Sequence, residues 1–118
     1  NWDSRRHFFS AAAEAMRRVL IDIARRKQAV RHGGDLKRTE FDELKAPGQT
    51  TDDELLAVHE ALDALATQDV RKAELVKLRY FAGLSLEEAA ALMGISERTA
   101  KRDWAYARAW LYREIKQS

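Results

Sequence analysis

The residues whose types and spacing could do chemistry lie in the run SLEEAAALMGISERTAKRDWAYARAWL, from Ser85 to Leu111. Arg98, Thr99, Lys101, Arg102 and Arg108 fall on one side of a helix there and offer cationic and hydroxyl donors. Arg and Lys so placed suit guanine edges and phosphate oxygens, so the chemistry on offer is nucleic-acid binding. Covalent catalysis finds no support. The chain has no cysteine, and His7, His32 and His59 are too far apart to form a local metal motif. Glu87 and Glu88 are adjacent on a helix and cannot face one another, while Glu88 stands where a capping carboxylate belongs. The expectation is a binding protein, not an enzyme, with no cofactor and no metal.

Two short helical patterns flank Met93-Gly94-Ile95-Ser96. Ser85 and Glu88 form a capping box for the first, and Ser96 caps the second. A small residue at Ala90 lets the helices approach closely. Gly94 supplies the positive φ of a sharp turn, and Ile95 fills the angle. The pattern is that of a helix-turn-helix, whose second helix enters a DNA major groove. Ala100, Trp104, Ala107, Leu111 and Ile115 line the inner side of that helix. Tyr106 and Tyr112 are the more exposed aromatic candidates for touching DNA or a partner. A helical hairpin that packs without touching DNA is the plainer alternative.

The elements that must position this site are helical throughout. The 118 residues are 46% hydrophobic and 34% charged, with one proline and five glycines, a composition that suits an all-α fold. No apolar run approaches the roughly 20 residues of a membrane span, and no signal-peptide pattern opens the chain. A long helix is expected over about 5–31, with Phe8, Phe9, Ala12, Met16, Val19, Leu20, Ile23 and Val30 as one apolar stripe. Glu14 to Arg18 and Asp22 to Arg26 are acid-first pairs that support it. Gly33-Gly34 stops it, and residues 33–51 read as a linker. Helices then follow at about 52–66, 69–82, 86–93 and 97–116, forming a four-helix domain that contains the helix-turn-helix. Charge is segregated along the chain. Residues 1–32 hold eight basic and three acidic side chains, whereas residues 33–69 hold three and ten. Basic ends around an acidic middle suit two surfaces that face a polyanion.

Residues 52–115, and above all LVKLRYFAGLSLEEAAALMGISERTAKRDWAYARAWL, resemble region 4 of bacterial sigma factors of the extracytoplasmic-function type. Leu78-Arg79-Tyr80-Phe81 and Gly83-Leu84-Ser85 are especially similar. The stretch HFFSAAAEAMRRVLIDIARRK is similar to the end of sigma region 2, where the family places its −10 recognition helix. The resemblance implies three parts: residues 1–32 as the end of region 2, 33–51 as linker, and 52–118 as region 4 with its helix-turn-helix at 85–113. It implies −35 readers at Arg98, Thr99, Lys101, Arg102 and Ala105, with a phosphate contact from Arg108. On the −10 side, Arg17, Arg18, Arg25 and Arg26 suit phosphates, and Asp22 suits helix pairing. Three positions depart from the family pattern, which usually has a β-branched residue at Ala100, a basic or polar one at Asp103 and an aliphatic one at Trp104. Asp103 could accept from a cytosine amino group, or hold Arg98 or Lys101 in place.

The function implied is promoter recognition for bacterial RNA polymerase, at −35 and −10 elements, in the cytoplasm and away from membranes. Partners are double-stranded promoter DNA, core RNA polymerase (reached through residues around 55–81) and an anti-sigma protein. Most of region 2 would precede Asn1, so the expectation is a fragment whose first helix docks on region 4 or self-associates through its apolar stripe. Two rival readings remain open at this point: an autonomous helix-turn-helix regulator of the response-regulator output type, and a helical protein-interaction module.

Overall fold

The structure, a computed structural model, describes residues 2–30 and 51–117. The expected Gly33-Gly34 stop and nearly all of the 33–51 linker lie outside the described residues. Five helices follow in chain order: α1 (Trp2–Val30), α2 (Asp52–Gln68), α3 (Val70–Tyr80), α4 (Leu86–Met93) and α5 (Glu97–Gln117). No strand occurs among the described residues.

Each start has a local cause. Thr51 accepts from Glu54 N at 3.2 Å, and three acids in the first turn of α2 meet the helix dipole. Asp69 closes α2 and opens α3, accepting from Lys72 N at 3.1 Å. The capping box of α4 is formed reciprocally, with Glu88 N on Ser85 Oγ at 3.0 Å and Ser85 N on Glu88 Oε1 at 2.9 Å. Gly94 then takes φ 72°, and Ile95 N reaches back to Ala90 O at 3.0 Å. This left-handed close of α4 is what only glycine adopts without strain. Helix α3 ends at Tyr80, two residues short of expectation, because Phe81 already caps it.

Leu55, Val58, Ala61, Leu62 and Leu65 of α2 pack with Ala73, Val76, Tyr80 and Phe81 from α3 and its C-terminal cap, and with Ala107 and Leu111 of α5, in one buried cluster. A second cluster joins Leu75 and Leu78 to Ala89, Leu92 and Met93 of α4, with Ile95 against it. Trp104 touches both clusters, so one side chain ties α5 to each half of the core.

Helix α1 docks on α2, α3 and α4, as the exposed-stripe argument anticipated, but with a different face. Ala13, Arg17, Ile21 and Ala24 are buried, whereas Phe8 (67% exposed), Met16, Val19, Ile23 and Val30 face solvent. Of the expected stripe only Phe9 and Leu20 are partly covered. The reason is that the inner face combines small residues, which permit close approach, with side chains that form polar links. Ser10 Oγ donates to Glu74 Oε1 at 2.8 Å, Lys77 Nζ lies 3.3 Å from Glu14 Oε1, and Gln28 Nε2 donates to Asp53 Oδ1 at 2.7 Å. Ile21, Leu20 and Phe9 pack on the core beside these links, and Phe8, Met16, Val19, Ile23 and Val30 lie off that face. Glu14 accordingly pairs with Arg17 at 3.4 Å as well as with Lys77.

Candidate nucleic-acid interface

Helix α5 separates its residues by face. Ala100, Ala107 and Leu111 are fully covered, and Trp104 and Ile115 lie partly buried beside them. Opposite them Arg98, Lys101, Arg102, Ala105 and Arg108 are exposed. Among the described residues none of these four cations has a carboxylate within ion-pair distance, so their charge is free to meet a polyanion. Thr99 is half-buried. Its N–H donates to Ser96 Oγ at 3.1 Å, and its hydroxyl accepts from that same group at 3.0 Å, so it belongs to the cap of α5 as much as to the outer face.

Asp103 differs from both readings given to it. Its side chain is only 6% exposed and turns away from Arg98 and Lys101 towards α3. Arg71 Nε donates to Oδ2 at 2.8 Å and Nη2 to Oδ1 at 3.0 Å. Lys72 Nζ stands 3.7 Å from Oδ1. A carboxylate so occupied cannot reach a cytosine edge. The pairing also raises the Arg71 pKa, through the hydrogen bond first and the charge of Asp103 second.

Two residues of the site were not singled out from the sequence. One is Arg71. The other is Arg79, whose guanidinium lies 4.3 Å from the centre of the Trp104 ring. Its Nε is buried without a hydrogen-bond partner. Burial lowers the Arg79 pKa, and the nearby charge of Arg108 lowers it further. Arg79 and Arg108 therefore act on one another as like charges. An arginine in the otherwise apolar run Leu78-Arg79-Tyr80-Phe81 was the available signal. Tyr106 and Tyr112 are exposed as expected, and each carries a lysine over its ring, Lys72 at 4.9 Å and Lys116 at 5.3 Å.

On α1, Arg18, Arg25 and Arg26 are exposed, with Arg26 Nε 3.4 Å from Asp22 O. Arg17 is not available to phosphates in this arrangement. It is 8% exposed, and its guanidinium meets His59 Nδ1 at 2.9 Å, His59 O at 3.0 Å and Asp63 Oδ1 at 2.6 Å. The Phe81 ring lies beneath it at 5.9 Å. Arg17, Arg18 and Arg25 instead line a cavity of about 200 Å³ together with Glu14, Asp22, His59 and Asp63. That cavity is balanced in charge and is not a cationic site. No described helix is long and apolar enough to cross a membrane, and no described group of His, Asp or Glu side chains could hold a metal.

An all-helical body whose last helix presents an unpaired cationic face is suited to meet a polyanion. The family model for ECF sigma factors matches residues 1–117, and the chain belongs to that family. Membership brings a role in promoter recognition, with RNA polymerase and promoter DNA as the family's partners. Comparison with curated proteins and with solved structures gives no match.

Proposed function

We propose that this chain directs bacterial RNA polymerase to −35 and −10 promoter elements, with α4 and α5 as a helix-turn-helix that reads the −35 element. In this reading α2–α5 are region 4, and α1 is the end of region 2. The observation that carries it is the face of α5, where Arg98, Lys101, Arg102 and Arg108 stand exposed and unpaired on a helix whose inner face is locked into the core. Phosphate contacts from these side chains supply salt-dependent affinity, and base-edge contacts near Lys101, Arg102 and Ala105 supply register. Arg79 joins Arg108 on the flank. Arg18, Arg25 and Arg26 serve the −10 side. Polymerase tethers both modules, so each binds weakly alone and the two bind tightly together. An anti-sigma protein is the expected antagonist, and the exposed α1 stripe offers a route to self-association.

The test is an NMR titration of the isotopically labelled chain, first with the isolated flap domain of a bacterial polymerase and then with duplex DNA. Flap-induced shifts on α2 and α3, with the 97–108 face still free to respond to duplex, support the sigma reading. Duplex binding with no response to the flap favours an autonomous helix-turn-helix regulator. No duplex response, and unchanged behaviour of a Lys101→Ala, Arg102→Ala double variant, would leave only a protein-interaction module.

A further inference from the structure

We infer that Asp103 is a positioning residue for sequence recognition: clasped by Arg71, it sets the roll of α5 and thereby the direction in which Lys101 and Arg102 point. This rests on the DNA-binding reading above and deepens it. Asp103 directly follows those two cations, yet its carboxylate is buried against α3 and held by both nitrogens of one edge of the Arg71 guanidinium. Lys72, beside it, is itself anchored 2.7 Å from Asp69 Oδ2, and Asp69 caps α3. The polar chain therefore runs from the first turn of α3 to the middle of α5 without a free joint.

The remaining packing of α5 at this level comes from Ala100, Trp104, Ala107 and Leu111. Apolar contacts of that kind hold the inner face in the core but are non-directional, so they do not by themselves single out one bearing of the polar edge. A forked arginine–carboxylate pair has a fixed planar geometry, and its two bonds cannot both survive such a roll. On the other edge of α5, Arg79 from the same helix α3 stacks on Trp104. Helix α3 thus grips α5 on both flanks, with the forked pair as the directional hold.

Charge and position predict opposite signs for one substitution. Asp103 is the single acid on α5 between Glu97 and Glu114. Asp103→Asn makes the DNA-facing helix more positive, which by charge alone tightens binding to every duplex. If the clasp positions α5, the same change weakens binding to the preferred sequence and leaves other duplexes bound equally or more tightly.

The experiment uses the full chain and two probes: a duplex enriched by the wild type from a randomised pool, and a scrambled duplex of the same composition. Fluorescence anisotropy gives the affinity ratio for wild type, Asp103→Asn, Arg71→Gln, the double variant and Asp103→Glu. The expected result is a loss of about tenfold in the ratio, the size of one lost base-edge contact, for each single variant. The double variant is no worse than either single, and Asp103→Glu recovers part of the loss. Unchanged ratios in both single variants, with Asp103→Asn tighter on both probes, would overturn the inference and leave the DNA reading intact. Should Asp103→Asn fail to fold by circular dichroism, Arg71→Gln carries the test, since Arg71 is exposed. A wild type that enriches no sequence, either alone or bound to core polymerase, removes the DNA reading itself, and the inference with it.

Discussion

Arg17 of α1 donates its Nε–H to Nδ1 of His59 on α2 at 2.9 Å, so His59 must keep Nδ1 unprotonated for the bond to exist. Burial lowers the His59 pKa from its ordinary 6.5, and the charge of Arg17 lowers it further. Arg25 acts in the same direction, while Asp63 and Glu60 oppose it. A base held neutral by folding binds fewer protons folded than unfolded. Its contribution is complete above about pH 6.5 and is lost as pH falls from there towards the lowered folded value. Thermal unfolding from pH 8 to pH 5 is expected to show a decline in Tm below pH 6.5 that is shallower in His59→Gln.

Arg17→Met keeps much of the side chain's volume and removes every polar link it makes to α2. Hydrogen bonds to charged groups are worth roughly 1.5–3 kcal/mol when buried, but Asp63 is largely exposed and solvent screens its share. A loss of about 1–2 kcal/mol is expected in chemical denaturation.

Gly94→Ala isolates a backbone effect. A Cβ at Gly94 would meet nothing within 4 Å, so sterics add nothing, and the cost is that of φ 72° in a residue with a side chain. That is about 1 kcal/mol, with Gly94→Asn costing less. Ser85→Ala removes half of the capping box and is expected to cost a similar ~1 kcal/mol. Urea titration of the three variants checks this.

Each of Arg98→Ala, Lys101→Ala, Arg102→Ala and Arg108→Ala is expected to weaken duplex binding. For those that touch phosphate, the slope of log affinity against log salt falls by about 1. A slope unchanged in all four would remove this face from the interface.

Arg79→Met separates stability from binding. The wild-type guanidinium buries an Nε that bonds to nothing and feels the charge of Arg108, which offsets its stacking on Trp104, so its replacement by an apolar chain leaves Tm nearly level. Duplex affinity is expected to fall severalfold, with the salt slope reduced by about 1. A lower Tm with unchanged DNA binding would make Arg79 a core residue only.

The α2–α5 body was legible because its signals are local. Ser85, Glu88, Gly94 and Ser96 fix the turn within a dozen residues, and the 3.6-residue period of α5 assigns its two faces. What sequence could not supply was partnership across the chain. Asp103 had neighbours in sequence that looked like partners, but its actual partner is 32 residues away in α3. Arg17 was one of four similar arginines, and only the docking of α1 distinguishes it from Arg18, Arg25 and Arg26. The α1 stripe was misassigned for a related reason. An apolar period shows which residues can be buried, and the complementary surface decides which are.

The two halves of the α1 contact respond differently to solvent. Helices α2–α5 are joined through leucine, valine, tyrosine and tryptophan side chains, whereas α1 adds to Phe9, Leu20, Ile21 and its buried alanines a row of polar links through Ser10, Glu14, Arg17 and Gln28. Mobile ions compete for charged links and leave hydrophobic ones intact or stronger. Rising ionic strength therefore acts on this molecule as a selective solvent. It loosens the seam along α1 while the body that carries α5 stays whole, and amide protons of α1 exchange under conditions in which those of α2 and α3 remain protected.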